Sequence, residues 1–492
     1  MTLNHAVVLI PISLLVFSFI TFLLGTLRRS FAYPTALVGS GISVLCSVVG
    51  LILVLQNGPL HYHLGGWPPP IGIEYVLDHL SAFMAVLVTF IGFISIIYSR
   101  KSFIQELPHK VVPLYTITLL LLSGFAGIVV TGDLFNLYVF LEIASLTAYA
   151  LMAVGEKRAP VASFRYVIMG TVGACFYLLG VGFIYFSTGT LNMADAAKLL
   201  PAVYNSNAIV AAAVFIVIGM GLKMALFPMH SWLPDAYTYA PSAVISLIAP
   251  LMTKVFAYVL IRMLVSVFLP AYLTDVLPVT TVIGWLAAAG IVLMSIMAIA
   301  QDDFRRMLAY SSLAQICYVA LGIGLANPLG LIGGMLHILN HAFMKGCLFQ
   351  VAGAIRYRTG LISISKFNGL GKKMRWTMGS FGIAALSMIG VPPACGFFSK
   401  WYLMLGSIDA GNWVFAGVIA LSSLLNAVYF FKIIEKVFFA QPDDDVVENA
   451  AEPPKEMLVP IVIMAVAIIA LGLLNVVIVT NILEPVVSHV FN

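Results

Sequence analysis

The chain has 492 residues, of which 61% are hydrophobic and only 9% are charged, with a formal net charge of +5. A soluble domain carries about 25% charged residues, so this chain cannot cover itself with a water-facing surface. Its basic residues fall in short loops between apolar runs, which argues against a nucleic-acid-binding surface and is explained by membrane orientation.

Apolar runs of roughly 20 residues, enough to span a bilayer, recur from end to end, and about fourteen transmembrane helices are predicted in one all-α polytopic domain. The first run, from about Ala6 to Leu27, is longer than the apolar region of a secretory signal and ends at Arg28 and Arg29 without a small-residue cleavage site. It is expected to stay as the first helix. Cys46, Cys175, Cys317, Cys347 and Cys395 all fall in apolar runs without paired spacing, which supports neither a disulfide framework nor a metal cluster and predicts core residues. With the helices numbered in order, the loops on one side hold Arg28, Arg29, Arg100, Lys101, Lys110, Lys157, Arg158 and Arg165, then a comparable set from Arg305 to Lys455. The opposite loops hold Lys198. The positive-inside rule therefore places both termini on the extracytoplasmic side, in keeping with an even number of spans.

In the fifth helix, Tyr138, Glu142, Ser145 and Tyr149 lie on one polar stripe, so the Glu142 carboxylate faces protein. Its proton affinity then depends on burial and on how near a partner ammonium stands, as a gated proton site requires. The seventh helix is predicted to break, with Lys223 just before Pro228. In the eighth, Ser246, Pro250, Lys254, Tyr258 and Arg262 recur every four residues. In the eleventh, His337, His341 and Lys345 share one face, a spacing that suits proton transfer through imidazoles. A histidine pair at i and i+4 can also bind zinc, but no third ligand accompanies this one. The twelfth helix is predicted to break at Pro392 and Pro393, with Lys400 just beyond. A charge at the bilayer centre costs about 2.5–3.5 kcal/mol on insertion scales, so several buried lysines in one chain require a functional reason. Arg262 and Lys432, nearer helix ends, are read as snorkelling to the interface. Paired broken helices in the two halves point to an inverted repeat with its functional groups at the breaks.

There is no Walker loop, no GxGxxG after a strand, no CxxC cluster and no GxSxG, so no nucleotide, flavin, iron–sulfur or other cofactor is assigned to this chain. Redox chemistry or ATP hydrolysis, if either drives it, belongs to a partner.

The segments GLKMALFPMHSWLPDAYTYAPS, LMTKVFAYVLIRM, QDDFRRMLAYSSLAQICYVALG and HILNHAFMKGCLFQVAGAI, in that order, closely resemble the antiporter-like subunits shared by respiratory complex I, membrane-bound hydrogenases and Mrp sodium/proton antiporters. The resemblance covers about residues 70–440. It implies fourteen helices with two inverted five-helix repeats: helices one to three in 1–110, a first repeat of helices four to eight in 111–268, a second of helices nine to thirteen in 277–440, and a last helix in 455–492. By motif, Glu142 matches the family's fifth-helix glutamate, Lys223 its partner lysine, and Lys254 the bridging lysine. His337, His341 and Lys345 match its polar ladder, and Lys400 its terminal site. One complex I member has a glutamate at that last position, so Lys400 argues against that member. The chain also lacks the long lateral helix of the largest complex I paralogue and the extra domain of the large Mrp subunit, and is most similar to the D-type member of Mrp antiporters. The implied function is proton translocation in a multisubunit sodium/proton antiporter of a prokaryotic cell (inner) membrane, with other membrane subunits as partners. The alternative is the pump module of a complex I-like quinone oxidoreductase or a hydrogenase. A stand-alone solute transporter is disfavoured, because the polar groups form a lateral line and no single compact pocket.

Overall fold

The computed structural model describes residues 5–491 apart from 157, 271 and 443, so Lys157, expected in a cytoplasm-facing loop, lies outside the described residues. The first six helices are α1 (His5–Leu27), α2 (Ala32–Asn57), α3 (His79–Glu106), α4 (Val111–Val130), α5 (Leu134–Ala153) and α6 (Ala159–Thr188). The predicted seventh helix is split into α7 (Asn207–Met224) and the short α8 (Leu233–Tyr239), and the eighth is α9 (Ser242–Arg262). Then come α10 (Val279–Ile299), α11 (Phe304–Gly324) and α12 (Pro328–Thr359). A second broken pair, α13 (Arg375–Ile389) and α14 (Cys395–Asp409), precedes α15 (Trp413–Ile434) and α16 (Lys455–Leu473).

Twelve of the described helices are long and apolar enough to cross a membrane. A count of fourteen needs two further segments: α12, whose 32 residues carry the polar ladder, and the pair α13 and α14, whose halves have 15 residues each. Neither half reaches the roughly 20 residues that a helix needs to span alone. A hairpin of β1 (Leu60–His63) and β2 (Glu74–Leu77) joins α2 to α3 and pairs His63 with Glu74. The all-α reading missed it, since four-residue strands offer too little alternation to register.

The first N–H groups of a helix lack intrahelical acceptors, and this sequence supplies side-chain caps. Asp78 caps α3 in a reciprocal capping box with Ser81. Asp133 accepts from the Asn136 N–H at 2.6 Å where α5 begins, and Asp303 accepts from the Arg306 N–H at 2.9 Å where α11 begins. The helix succession itself recurs. A 20-residue helix, one opened by a capping aspartate, one of 30 residues and a broken helix lead to α9. A 21-residue helix, one opened by a capping aspartate, one of 32 residues and a broken helix lead to α15.

Burial locates the core. The apolar window of α9 is wholly enclosed and that of α11 nearly so, whereas α2, α6 and α15 bury less than half of theirs. α12 is buried without interruption from Gly330 to Ile355, and packs against α9, α11 and α14. Outer helices instead expose Phe19, Leu23, Phe186 and Leu424, the surface a bilayer covers. Cys317, Cys347 and Cys395 are buried as expected, but Cys175 is exposed on α6 and Cys46 is only partly covered. A membrane helix is apolar all round, so hydropathy does not distinguish its core face from its lipid face.

Candidate functional site: a buried polar axis

A helix break lies beside each of two buried lysines, Lys223 and Lys400. α7 ends at Ala225, held at a left-handed φ of 59°, and the Trp232 indole donates to the Leu222 carbonyl at 3.1 Å. Lys223 lies in that last turn, where the negative end of the helix dipole favours a cation. Its Nζ is fully buried, donates to Ser145 Oγ at 2.6 Å, and stands 5.7 Å from the Phe256 ring centre. Ser145 in turn donates to the Leu141 carbonyl at 2.7 Å, so its lone pairs face the ammonium. Glu142, one turn before Ser145, is half-buried, and its Oε1 has no hydrogen-bond partner. It is the carboxylate that acts electrostatically on Lys223, yet no Glu142–Lys223 ion pair closes within 4 Å among the described residues. Glu142 thus acts on Lys223 electrostatically and without direct contact.

In the centre, α9 carries Pro250, whose missing N–H frees the Ser246 carbonyl; the Ser95 hydroxyl donates to it at 3.4 Å. Lys254, fully buried, donates to the neighbouring Ala249 carbonyl at 2.8 Å. No carboxylate pairs with it among the described residues, and it makes no hydrogen bond to Lys223 or to the histidines. One turn on, the Tyr258 hydroxyl donates to the Val129 carbonyl and accepts from Arg262. Arg262 does not snorkel freely: its guanidinium grips both Asp78 oxygens at 2.6 and 2.8 Å, and only 13% of the side chain is exposed. Burial disfavours the Asp78 carboxylate, but Arg262 and the Ser81 hydrogen bonds outweigh it and hold this carboxyl well below the usual range. The pair was missed because its members lie 184 positions apart. Lys432, in contrast, is exposed on α15, as snorkelling implies.

The ladder on α12 faces a second polar stripe that the sequence reading overlooked. Ser311, Gln315 and Tyr318 sit at i, i+4 and i+7 on α11, and this spacing was the available signal. Lys345 Nζ donates to Ser311 Oγ at 2.9 Å and to the Leu308 carbonyl at 3.1 Å. At the other end, the His337 ring lies 5.2 Å from that of Tyr318 and 5.7 Å from that of His341. His337 Nδ1 is 2.9 Å from Ser399 Oγ, one residue before Lys400. Lys400 Nζ donates to the last carbonyls of α13, Met388 at 2.9 Å and Ile389 at 3.0 Å, and to Ser423 Oγ at 3.2 Å. Both nitrogens of His341, both amide atoms of Gln315, and His337 Nε2 are buried without a protein partner. Buried polar groups are normally satisfied by protein or by ordered water, and among the described residues the protein offers these five atoms no partner.

The structure thus divides the candidate residues into stations. Glu142 and Lys223 share one, His337, His341 and Lys345 a second and Lys400 a third, while Lys254 on α9 makes no hydrogen bond to any of them. Lys254 lies within electrostatic reach of all three members of the second station. Residues 131–426, which contain every one of these groups, match the family model described as "NADH:quinone oxidoreductase/Mrp antiporter, TM". Residues 69–101 match that of "NADH-Ubiquinone oxidoreductase (complex I), chain 5 N-terminus". The chain belongs to the NADH:quinone oxidoreductase/Mrp antiporter transmembrane family. It is 49% identical to subunit N of the NADH-quinone oxidoreductase of Desulforudis audaxviator (strain MP104C), an alignment covering 90% of this chain and 91% of that one. It is 32% identical to the D-type component of the Na(+)/H(+) antiporter of Alkalihalophilus pseudofirmus, covering 92% of each. A chain from the structure of the membrane-bound sulfane sulfur reductase, described as an archaeal respiratory membrane complex, superposes with a TM-score of 0.89 at 28% identity, covering 99% of this chain and all of that one. In this family member, the matched region contains the enclosed helices α9, α11 and α12 and both helix breaks.

Proposed function

We propose that this chain is the proton-translocating membrane subunit of a multisubunit monovalent cation (Na+)/proton antiporter, relaying protons through Glu142, Lys223, Lys254, His337, His341, Lys345 and Lys400. One observation carries this: four fully or almost fully buried lysines occur at successive stations with no carboxylate within 4 Å of any among the described residues, each donating to a hydroxyl or a carbonyl. An uncompensated buried ammonium is costly, and a group that releases and regains its proton relieves that cost. Withdrawal of Glu142 from Lys223 makes that lysine shed its proton towards Lys254. A charged Lys254 disfavours charge on Lys345, so the stations fill in sequence. A membrane potential of 100 mV supplies about 2.3 kcal/mol per charge crossing, a scale that modest rearrangements of such groups can match.

Fourteen crossings, with the broken pair and α12 included, put both termini outside a prokaryotic cell membrane and the basic loops inside it. The recurring helix succession supports two repeats, 111–268 and 277–440, flanked by 1–110 and 455–492. The structural match to a chain of an archaeal respiratory membrane complex supports a subunit that works within a larger assembly, beside other membrane subunits.

The second reading, a pump subunit of a redox-driven complex, is favoured by the 49% identity to a membrane component of an NADH-quinone oxidoreductase. The test is proton flux in vesicles containing the purified complex, driven either by a sodium gradient or by an electron donor. A sodium gradient sufficing identifies an antiporter, whereas flux only with a donor identifies the pump. A fully assembled Glu142→Ala complex with normal driven flux would remove the relay under both readings.

A further inference from the structure

Lys345 and Lys400 are linked by a second set of contacts that avoids the histidines. Lys345 Nζ donates to Ser311 Oγ at 2.9 Å, and Ser311 Oγ lies 2.9 Å from the Tyr429 hydroxyl oxygen. Tyr429 donates to Asn426 Oδ1 at 2.8 Å, and Asn426 Nδ2 donates to the Met388 carbonyl at 3.2 Å. That carbonyl is the one to which Lys400 donates at 2.9 Å. Ser311, Asn426 and Tyr429 are all buried, on two helices, α11 and α15, that carry none of the stations.

The direction of the chain follows from the hydrogens available. A tyrosine hydroxyl has one hydrogen, committed here to Asn426, so Ser311 must be the donor to Tyr429. Every bond then points the same way, from the Lys345 ammonium towards Met388, and such aligned chains polarise one another. A carboxamide does not pass on a proton as a hydroxyl does, so Asn426 makes the chain a conductor of polarisation and not of protons. Its positive end faces the shared carbonyl that anchors Lys400.

We propose that Ser311, Tyr429 and Asn426 are positioning residues that report the charge of Lys345 to Lys400, easing proton release from Lys400 while Lys345 is charged. This rests on reading the two lysines as proton stations. The other titratable groups around the chain are His337 and His341 on α12, Lys254 on α9 and Tyr318 on α11, and no carboxylate acts on either lysine among the described residues.

The experiment measures driven proton flux against pH in vesicles holding the assembled complex, with Tyr429→Phe, Ser311→Ala, both together, Ser311→Thr, and Lys400→Ala as the control. Each single deletion of a hydroxyl is expected to lower flux about tenfold, the scale of one buried hydrogen bond, and the double variant to be no worse than either. The flux profile should move to higher pH by about one unit, since Lys400 then keeps its proton longer, and Ser311→Thr should restore both readouts. Additive losses, an unmoved pH profile, or wild-type flux in Tyr429→Phe would overturn the coupling. Full flux in Lys400→Ala would instead overturn the station reading, whatever Tyr429 does.

Discussion

Ser145 is the point at which the first station can be tested without removing a charge. Lys223 Nζ is fully buried, and the hydrogen bond it donates, 2.6 Å to Ser145 Oγ, goes to a hydroxyl already oriented as an acceptor by its own bond to Leu141. Ser145→Ala removes one atom from a buried contact and leaves the ammonium without that acceptor, costing about 1.5–3 kcal/mol for a bond to a charged group. If Lys223 must be charged for part of each cycle, its charged population falls by that free energy, and driven flux falls about ten- to a hundredfold. Ser145→Thr keeps a hydroxyl at this position and should retain most of the flux. The assay is sodium- or donor-driven proton uptake into vesicles containing equal amounts of assembled complex, read by a pH-sensitive dye. Wild-type flux in Ser145→Ala would show that Lys223 does not hold its proton against this hydroxyl, and the coupling of Lys223 to Glu142 through α5 would have to be abandoned.

Two further outcomes are expected. Lys254→Arg preserves charge but cannot give up its proton, so it should abolish driven flux, while the titratable Lys254→His retains more; equal flux in the arginine variant would make Lys254 a fixed electrostatic post. Asp78→Asn keeps the helix cap but leaves Arg262 unpaired, lowering the thermal unfolding temperature of the detergent-solubilised protein. Because the folded-state affinity of Asp78 for its proton is depressed, its stabilising contribution is present above the usual carboxylate range and lost as pH falls through that range towards the folded value. The wild type and Asp78→Asn should therefore converge in stability on acidification, and a gap independent of pH would assign the effect to packing.

What could be read from the sequence follows from how local each signal is. Glu142, the buried lysines and the histidine ladder stand out because a charge or imidazole inside an apolar run is rare and costly, and helical spacing alone tells which of them share a face. The prolines at 228, 392 and 393 reveal the breaks for the same local reason. Contacts between distant segments leave no such mark. Nothing near Arg262 announces Asp78, and nothing near Lys345 announces Tyr429, 84 positions further on by their numbers. Uniform hydropathy likewise hid that Cys175 faces outwards while Cys317 faces the core.

The placement of the polar groups also bears on why this arrangement is stable enough to exist. Among the described residues, each buried lysine is held by carbonyls or hydroxyls and not by a carboxylate: Lys223 by Ser145, Lys254 by Ala249, Lys345 by Leu308 and Ser311, Lys400 by Met388, Ile389 and Ser423. A close carboxylate would satisfy the charge better, but it would also fix it, because breaking a buried ion pair leaves both members uncompensated and costs about 3–5 kcal/mol. Neutral acceptors solvate an ammonium well enough to admit it and can still pair with the neutral amine, so the two protonation states stay close in free energy. For Lys400 the acceptors are carbonyls freed at a helix break, whereas Lys223 and Lys345 use serine hydroxyls of neighbouring helices and Lys254 a carbonyl of its own helix. The ion pair of Asp78 and Arg262, with a fixed charge on each partner, lies at the helix ends and includes none of these four lysines.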